Sequence, residues 1–501
     1  MSLNSKVEFH VEVERARARL EQGELGDRRG GVAGFGAEAL GVEVLIGAAR
    51  CVEGKRGPGF AARALFRGGW SADLARRAAP GPISSTAMSS LIVMKFGGTS
   101  VADAERVRRA ARRIVAKREA GHQVVAVLSA RGKTTDELIA MAEEISESPD
   151  PREMDMLLST GERISCALCA MAINDLGHRA ISLTGSQAGI VTDESHTKAL
   201  ILDVRADRIQ AALEEDNIVL VAGFQGVSEN ARNVTTLGRG GSDTSAVAVA
   251  AALGAEVCEI YTDVAGVYSA DPRIVPNARK LETVSFEEML EMAASGAGVL
   301  QLRSLEYARN HGVVIHCRSS FDDEPGTFVV AEGETMEQPL ITAVTHSTSE
   351  ARVTLTGVPD TPGAAARIFD AMAQANINVD MIVQNEPVAA GGQAEISFTV
   401  PREDLRTARA ALEPLTGEAF ANLSTYEEMG KVSIVGAGMR SHPGVAAKVF
   451  KVLAAEGVNI DMISTSPIKI SCVIDRDRVE RAVQALHSAF ELAGEGTVTV
   501  E

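Results

Sequence analysis

Two short glycine-rich stretches combine the residue types that bind phosphate. The first reads Lys-Phe-Gly-Gly from Lys95, directly after the apolar run 91–94, and the second reads Arg-Gly-Gly-Ser-Asp from Arg239 to Asp243. Glycines let backbone N–H groups approach an anion closely, a helix N-terminus favours negative charge, and lysine or arginine adds a full positive charge. Because the lysine precedes the glycines, the first stretch is not a P-loop.

Phosphoryl transfer is the chemistry that these residues fit best. It requires positioned positive charge and a metal ion that bridges phosphate oxygens. Lys95, Arg239, the glycine amides and Asp243 with Mg²⁺ could supply these parts. The structural alternatives are a solvated strand-end lysine for Lys95 and a helix N-cap for Asp243. Because no serine or cysteine nucleophile with a histidine partner is visible, hydrolase chemistry is disfavoured.

Three further polar turns follow apolar runs. One begins at Ser129, another ends at Glu162, and a third begins with Thr262 and Asp263. Glu162 either caps a helix or faces a substrate ammonium group, and Thr262 and Asp263 either form a turn or contact adenine or ribose. Downstream, a Ser-Ala-Asp-Pro loop could cover a nucleotide. His196, the one histidine near a candidate site, is expected to be a surface or supporting residue.

The elements that must position these residues alternate between strand and helix from about 91 to 330. Such alternation predicts an α/β domain with a mainly parallel sheet covered on both faces. In such sheets ligands gather at the carboxyl ends of the strands, which is where the polar turns fall.

An internal repeat occupies the chain after Pro339. The pattern Pro-Gly-x-Ala-Ala-x-x-Phe starts at Pro362 and again at Pro443, and Asn-x-Asp-Met-Ile starts at Asn378 and again at Asn459. The period is 443 − 362 = 81 residues. Each copy reads strand, turn, amphipathic helix, turn, strand, which predicts two small α/β modules that pack as a pair.

Composition narrows the class of protein. A chain of 501 residues should hold about three domains, and a formal charge of −17 argues against a general nucleic-acid or anionic-membrane binder. No apolar run approaches the roughly 18 residues that span a membrane. The six cysteines are scattered, so Cys166 and Cys169 are read as buried side chains rather than as a metal or redox site, and a reducing cytoplasm is expected.

Read in order, the motifs resemble those of the aspartate kinase (aspartokinase) family. The resemblance covers residues 91 to about 500, and the tandem modules are similar to that family's ACT regulatory pair. The stretches that carry it are Lys95 to Ser100, Ser129 to Asp136, Leu158 to Glu162, Leu183 to Gly189, Thr236 to Asp243, Thr262 to Tyr268 and Asp271 to Arg273.

The resemblance implies an amino-acid-kinase fold followed by two ACT-type βαββαβ modules. It implies transfer of the γ-phosphate of ATP, with Mg²⁺, to the β-carboxylate of L-aspartate, which is the first step towards lysine, threonine and methionine. It also implies feedback inhibition by threonine or lysine, a homodimer or higher oligomer formed through the ACT modules, and a cytoplasmic location.

Site residues follow from the same resemblance, position by position. The catalytic pair is Lys95 and Asp243. The expected ATP contacts are Lys95, Phe96, Gly97, Gly98, Ser129, Thr262, Asp263, Tyr268 and Arg273. The expected aspartate contacts are Thr135, Glu162, Arg239, Gly240 and Ser242. The expected effector contacts are Asn378, Asp380, Gln384, Val445, Ala446, Asn459 and Ile460, and no resident protein metal site is expected.

Three positions depart from the family pattern. Gly298 stands where a lysine is expected near the nucleotide, Arg131 replaces a methionine, and Pro467 stands where an acidic residue is common. Two alternative functions remain open on the sequence. One is a kinase of the same fold that acts on another acidic amino acid, and the other is a non-catalytic amino-acid sensor.

The predicted domain boundaries follow these patterns. Residues 1–88 lack strand–helix periodicity and are expected to be a disordered extension or an over-extended reading frame, with an extra module as the alternative. The catalytic domain is predicted over 89–332, the first ACT module over 340–425 and the second over 426–501.

Overall fold

A computed structural model describes residues 90–332, 340–385 and 393–494 of the chain. These residues belong to one compact unit. The extension predicted over residues 1–88 lies outside the described residues.

The first domain alternates strands with helices, as the sequence predicted. Its strands are β1 (Leu91–Phe96), β2 (Gln123–Leu128), β3 (Ala180–Leu183), β4 (Ile190–Thr192), β5 (Ile201–Val204), β6 (Ile218–Ala222), β7 (Gln225–Ser228), β8 (Val234–Thr236), β9 (Val257–Thr262), β10 (Thr283–Ser285), β11 (Ile315–Ser319) and β12 (Thr327–Val330). Its helices are α1 (Ala104–Glu119), α2 (Thr134–Ile145), α3 (Pro151–Leu158), α4 (Thr160–Asp175), α5 (Asp207–Glu214), α6 (Gly241–Leu253), α7 (Phe286–Ala294) and α8 (Leu302–His311).

Eight of these strands form one sheet in the order β10-β12-β11-β9-β1-β2-β6-β3. Neighbours are parallel, apart from β11 and β12. β1 lies at the centre, and both faces of it are buried because alternate residues point to opposite sides. Val93 packs in the cluster that contains α6, whereas Ile92 and Met94 pack in the cluster that contains α1 and α4. The carboxyl ends of β1, β2 and β9 therefore meet at one edge.

A smaller sheet, in the order β5-β4-β7-β8, adjoins the main sheet. β8 ends at Thr236, only a few residues before α6 begins at Gly241. The second glycine-rich stretch is thus the connection between this small sheet and the buried helix α6.

The repeat region forms two four-stranded antiparallel sheets. Its strands are β13 (Ala343–Ser347), β14 (Glu350–Pro359), β15 (Ile382–Asn385), β16 (Gln393–Pro401), β17 (Asn422–Tyr426), β18 (Met429–Val435), β19 (Met462–Ser466) and β20 (Lys469–Asp475). Its helices are α9 (Ala364–Gln374), α10 (Leu405–Leu412), α11 (Val445–Ala455) and α12 (Val479–Ala489).

The boundary between the two modules differs from the prediction. The first sheet has the order β15-β16-β14-β17 and the second has the order β13-β18-β20-β19. β13, which the predicted boundary at 340 placed in the first module, pairs with β18 of the second. In the second module β13 lies beside the central strand β18, just as in the first module β17 lies beside the central strand β14. The second module is therefore discontinuous, because its edge strand comes from before the first module in the chain.

Helix α7 of the first domain contacts the second module. The buried Glu288 accepts hydrogen bonds at Oε1 from the Thr342 hydroxyl (2.6 Å) and the Ala437 N–H (3.1 Å). One turn further along, Glu291 forms an ion pair of 2.8 Å with Lys469 and accepts a hydrogen bond from Ser466. The turn that contains Pro467 thus lies against the catalytic domain.

One stretch of the described chain, Pro151–Asp175, is long and apolar enough to cross a membrane by length and composition alone. It consists of α3 and α4, and half of its most apolar window is buried inside the protein. Cys166 and Ile173 of α4 belong to the core cluster under the main sheet. These contacts identify α4 as a core helix of the first domain.

Candidate active site

Lys95 occupies the penultimate position of β1 and points to the edge where the strands end. Its side chain is buried and forms an ion pair with Asp243. A Cβ on Gly97 would lie 3.5 Å from the Lys95 Nζ, and a Cβ on Gly98 would lie 2.9 Å from the Ala130 carbonyl oxygen. The two glycines therefore leave room for the lysine on one side and for the neighbouring turn on the other.

Main-chain hydrogen bonds bring three of the predicted turns together. The Gly97 N–H donates to the Tyr261 carbonyl at 3.2 Å, and the Ser129 N–H donates to the Phe96 carbonyl at 3.1 Å. These bonds place the ends of β1, β2 and β9 side by side. The Phe96 side chain itself is in the core, stacked on Tyr261 with ring centroids 4.8 Å apart. Phe96 can therefore contact a nucleotide only through its main chain.

Asp243 lies in the first turn of α6 and is not the N-cap. The N-cap is Gly240, with a left-handed φ of 72°, and α6 has no side-chain cap. A Cβ on Gly240 would come within 2.3 Å of Gln301 Cγ, so this position requires glycine for two reasons. The uncapped N–H groups of α6 and the buried Asp243 thus lie beside Lys95. Arg239, on the same turn, is exposed and has no ion pair within the described residues.

Glu162 is a buried carboxylate with an unused oxygen. Its Oε1 accepts a hydrogen bond from the Ala130 N–H at 3.1 Å, while Oε2 is buried without a partner among the described residues. Burial raises the pKa of Glu162 to about 7. An unpaired buried carboxylate is costly, so an ammonium group from a ligand would stabilise it. This geometry favours the substrate reading of Glu162 over the capping one.

The turn between β2 and α2 connects these groups. Gly161 packs against it, since a Cβ there would lie 2.8 Å from the Cβ of Ala130. Arg131 donates to the carbonyls of Val101 (3.3 Å) and Ala102 (3.1 Å), so the residue that departs from the family pattern ties this turn to the segment after Gly98. Thr135 is half-buried in the first turn of α2.

The predicted nucleotide residues after β9 lie in a more open region. The Thr262 hydroxyl donates to Asp263 at 3.0 Å, and Arg273 is exposed and paired bidentately with Asp271 at 3.0 and 2.7 Å. Tyr268 is half-buried, and its burial raises the pKa of its hydroxyl. No contact among the described residues joins Tyr268 or Arg273 to Lys95.

Gly298 has free space around it. It is exposed, its φ is not positive, and a Cβ would meet no atom within 4 Å. A left-handed backbone, which would have required glycine at this position, is therefore not the reason for it. A lysine side chain would fit there.

The predicted effector residues divide between the two modules. Asp380 contacts Lys431 on β18 at 2.5 Å, and its counterpart Asp461 contacts Arg352 on β14 at 3.1 Å. Each Asn-x-Asp turn thus reaches the central strand of the other module. Val445 is in the core of the second module. The exposed or half-buried members are Asn378, Gln384, Ala446, Asn459 and Ile460.

Several residues that shape the site carried no recognisable signal in the sequence. Asp155 and Arg303 hold the turn before α6, and Lys431 holds the two modules together. The CxxC pair is inert by comparison: Cys166 and Cys169 are free and buried, and burial raises the pKa of Cys169 to about 12. A single Asp, Arg or Lys has no local pattern, so its partner is visible only in three dimensions.

A mainly parallel sheet with a buried lysine–aspartate pair at its carboxyl edge, joined to two small modules with antiparallel sheets, defines the class of amino-acid kinases with ACT regulatory domains. A profile of the amino acid kinase family matches residues 90–319, and a profile of the ACT domain matches residues 343–414 and 432–490.

Known proteins narrow this class to one family. The aspartokinase of Mycobacterium tuberculosis strain H37Rv is 56% identical over 414 residues, which are 82% of this chain and 98% of the relative. The crystal structure of E. coli aspartokinase III in complex with aspartate and ADP is 27% identical with a TM-score of 0.68, covering 80% of this chain and 99% of that one. The same enzyme in complex with lysine and aspartate is 28% identical with a TM-score of 0.63, covering 80% and 100%. This chain belongs to the aspartokinase family.

Proposed function

We propose that this chain transfers the γ-phosphate of ATP to the β-carboxylate of L-aspartate at the edge where Lys95 and Asp243 meet. The observation that carries the proposal is the buried Lys95–Asp243 pair together with the unpaired oxygen of Glu162, whose other oxygen is bonded to the Ala130 turn that packs against Gly98. A kinase that acts on an amino acid requires a desolvated cation that binds phosphate and a desolvated anion that binds the substrate's amino group.

On the nucleotide side, Lys95 stabilises the charge of the transferred phosphoryl group, and Asp243 orients the lysine ammonium through their ion pair. Main-chain N–H groups at Gly97, Gly98 and Ser129 and at the start of α6 hold phosphate oxygens, because helix N-termini and glycine turns favour anions. Thr262, Asp263, Tyr268 and Arg273 contact the rest of the nucleotide.

On the substrate side, Glu162 binds the α-ammonium group of aspartate. Arg239, which is exposed and unpaired in the described residues, binds a carboxylate of the substrate, with Gly240, Ser242 and Thr135 completing the site. A bound aspartate therefore spans from the start of α4 to the turn before α6. The β-carboxylate lies towards Lys95 and attacks the γ-phosphorus in line.

Mg²⁺ would be held by the phosphates of ATP together with Asp243. Mg²⁺ usually keeps several water and phosphate ligands and takes one or two carboxylates from the protein, and Asp243 offers a carboxylate at this edge. The metal supplies charge neutralisation on the phosphate oxygens. Removal of divalent metal with EDTA should abolish turnover, and restored Mg²⁺ should recover it.

Threonine, and more weakly lysine, inhibit the enzyme by binding at the seam between the ACT modules. Asp380 supplies a carboxylate for the effector's ammonium group, since it is only partly covered by Lys431. Pro467 removes an acid that could meet the side-chain ammonium of lysine, and an unpaired buried ammonium is costly. Oligomers form through the same modules, and the five free, buried cysteines of the described chain fit a cytoplasmic location.

ATP-dependent formation of aspartyl hydroxamate by the purified full chain tests the proposal. We expect product with L-aspartate and none with L-glutamate, N-acetyl-L-glutamate or D-aspartate at the same concentration. Product with another acid alone would establish a different kinase of the same fold. Binding of amino acids without turnover would establish a sensor.

A further inference from the structure

A buried carboxylate behind the candidate active site has no part in the reaction described so far. Asp155 on α3 is fully buried. Its Oδ1 accepts hydrogen bonds from the Thr236 hydroxyl at 2.5 Å and from the Thr197 N–H at 3.1 Å, and its Oδ2 lies 2.6 Å from Nδ1 of His196. One carboxylate thus holds three segments that are far apart in the sequence.

Two of these segments lead directly into the proposed aspartate site. Asp155 lies on α3, which is followed at once by α4 and Glu162. Thr236 is the last residue of β8 and begins the turn that presents Arg239. The Asp155–Thr236 hydrogen bond therefore fixes the spacing between the two groups that are proposed to bind the opposite ends of aspartate.

The third segment carries backbone strain. Thr197 has a φ of 65°, a conformation that a β-branched residue rarely adopts. Its N–H bonds to Asp155, and its carbonyl oxygen lies 3.2 Å from where a Cβ on Gly238 would be. Such strain persists only where the surroundings enforce it, and it is concentrated at functional sites. Here the strained residue packs against Gly238, in the turn that carries Arg239.

Arg303 of α8 holds the same turn from the other side. It donates to the Leu237 carbonyl at 2.9 Å and to the Ala199 carbonyl at 2.7 Å. The Ala199 N–H donates to the Thr236 carbonyl at 2.9 Å. The entry to the turn is therefore fixed on both sides by buried or partly buried polar groups, while Arg239 itself remains exposed and available.

We propose that Asp155 is a positioning residue for aspartate binding, which acts by holding Thr236 and the Arg239 turn at a set distance from Glu162. The inference rests on the proposed function, because it takes Glu162 and Arg239 as the groups that bind aspartate. Misplacement of a binding group by about 1 Å can cost on the order of 10²-fold in rate. The nucleotide contacts after β9 do not pass through Asp155.

The test compares two neighbouring threonines of β8. Thr236→Val removes the hydroxyl that bonds to Asp155. Thr235→Val is the matched control, because Thr235 is also fully buried but bonds to Thr192 at 2.7 Å on the opposite side of the strand. Both variants lose one buried hydroxyl and gain one methyl group.

We expect Thr236→Val to raise the KM for aspartate about tenfold or more, with the KM for ATP changed less than about twofold. Thr236→Ser, which keeps the hydroxyl, should restore the KM for aspartate. Thr235→Val should leave both KM values within about twofold, even if its melting temperature falls. Equal effects of the two valine variants, or an unchanged KM for aspartate in Thr236→Val, would overturn the inference.

A further variant covers the case in which Thr236→Val does not fold. His196→Ala removes the imidazole contact to Asp155 from a partly exposed position, so it should also raise the KM for aspartate, and an unchanged value would count against the role of Asp155. Wild-type enzyme that forms no aspartyl hydroxamate would defeat the proposed function itself. Active wild-type enzyme with unaffected variants would defeat only the positioning role.

Discussion

Two buried lysines, one in each half of the molecule, have the same chemistry and different surroundings. Lys95 in the catalytic domain is paired with Asp243 at the end of a strand, next to two glycines. Lys431 in the second ACT module lies in the middle of β18 and is paired with two carboxylates, Glu350 at 3.0 Å and Asp380 at 2.5 Å.

The two sites differ in whether buried polar groups remain without a hydrogen-bonding or ionic partner. Burial lowers the pKa of Lys431, but Glu350 and Asp380 outweigh it, so the pKa is raised and the charge is compensated within the protein. In the catalytic domain, by contrast, Glu162 has an unpaired buried oxygen, and the start of α6, which carries Asp243, has uncapped N–H groups. A buried lysine whose charge is compensated by protein carboxylates indicates a structural contact between modules. A buried lysine beside unsatisfied groups indicates a place where a ligand completes the structure.

The largest expected effect is on turnover. Lys95→Ala and Asp243→Ala should each lower kcat by about 10² to 10³, because each removes a group that stabilises charge in the transition state. Circular dichroism should show that both variants stay folded. Lys117→Ala is the control, since Lys117 also pairs with a buried carboxylate, Glu259, at 2.6 Å but lies away from the strand ends. Near-normal kcat in either active-site variant at saturating substrates would defeat the assigned mechanism.

The second prediction concerns the unsatisfied carboxylate. Because the pKa of Glu162 is raised to about 7, its carboxylate is protonated below that pH and cannot pair with an ammonium group. We expect kcat/KM for aspartate to fall about tenfold for each pH unit below 7 and to level off above it. In Glu162→Gln the value should be lower by roughly 10- to 100-fold at pH 8 and independent of pH across this range. A wild-type profile that is retained in Glu162→Gln would assign the titration to another group.

The same pKa fixes the sign of a stability effect. The folded protein keeps the Glu162 proton up to about pH 7, whereas the unfolded chain releases it near the ordinary value of 4.5. The folded state therefore binds more protons between these values, and stability falls as the pH rises through this window. Glu162→Gln should remove this contribution, which a pair of urea titrations at pH 5 and 8 would measure.

The third prediction concerns Lys431, whose charge is compensated within the protein. Lys431→Met leaves Glu350 and Asp380 facing each other without a cation, so it should lower the free energy of unfolding by roughly 2–3 kcal/mol, less than for a fully buried pair because Asp380 is partly exposed. The kcat at saturating substrates should stay within about twofold. Arg352→Met is the matched control for the reciprocal contact, where Arg352, which is more exposed than Lys431, pairs with Asp461 and should contribute less than about 1 kcal/mol. Equal losses of unfolding free energy in the two variants would mean that the greater burial of Lys431 does not make its ion pairs more stabilising than that of Arg352.

The fourth prediction concerns the effector. Asp380→Ala should relieve inhibition by threonine with little change in the uninhibited kcat, because an effector acts only through its different affinity for the active and inactive states. Threonine should inhibit the wild-type enzyme more strongly than lysine. Stronger inhibition by lysine alone would refute the argument from Pro467, and full threonine sensitivity in Asp380→Ala would remove Asp380 from the effector site.

The smallest effect is expected at Gly298. The position is exposed and open, so Gly298→Lys should fold normally and lower the KM for ATP by a few-fold if the new cation reaches the phosphates. Gly298→Gln, which adds length without charge, is the control. An improvement of the same size in both variants would exclude the charge as the cause.

A feature could be predicted from the sequence when the residues that form it are close together in the chain. The meeting of the glycine-rich turns at one edge of the sheet was predictable because strand, lysine, glycines and helix start are consecutive, and parallel strands bring their carboxyl ends together. The pairing of β13 with the second module was not predictable, because β13 and β17 are both five-residue strands of mixed polarity and either could flank a central strand. The duplication of the Asn-x-Asp turn was visible, yet the reciprocal partners Lys431 and Arg352 were not.

The sequence by itself therefore determined the order of the elements, the two modules and the charged residues at the carboxyl edge of the main sheet. Only the tertiary structure decided which charges are compensated: Asp155 meets Thr236 across 81 residues, and Lys431 meets Asp380 across 51. Local propensities act over a turn or a strand, whereas the pairing of buried polar groups depends on which segments the packed sheets bring into contact.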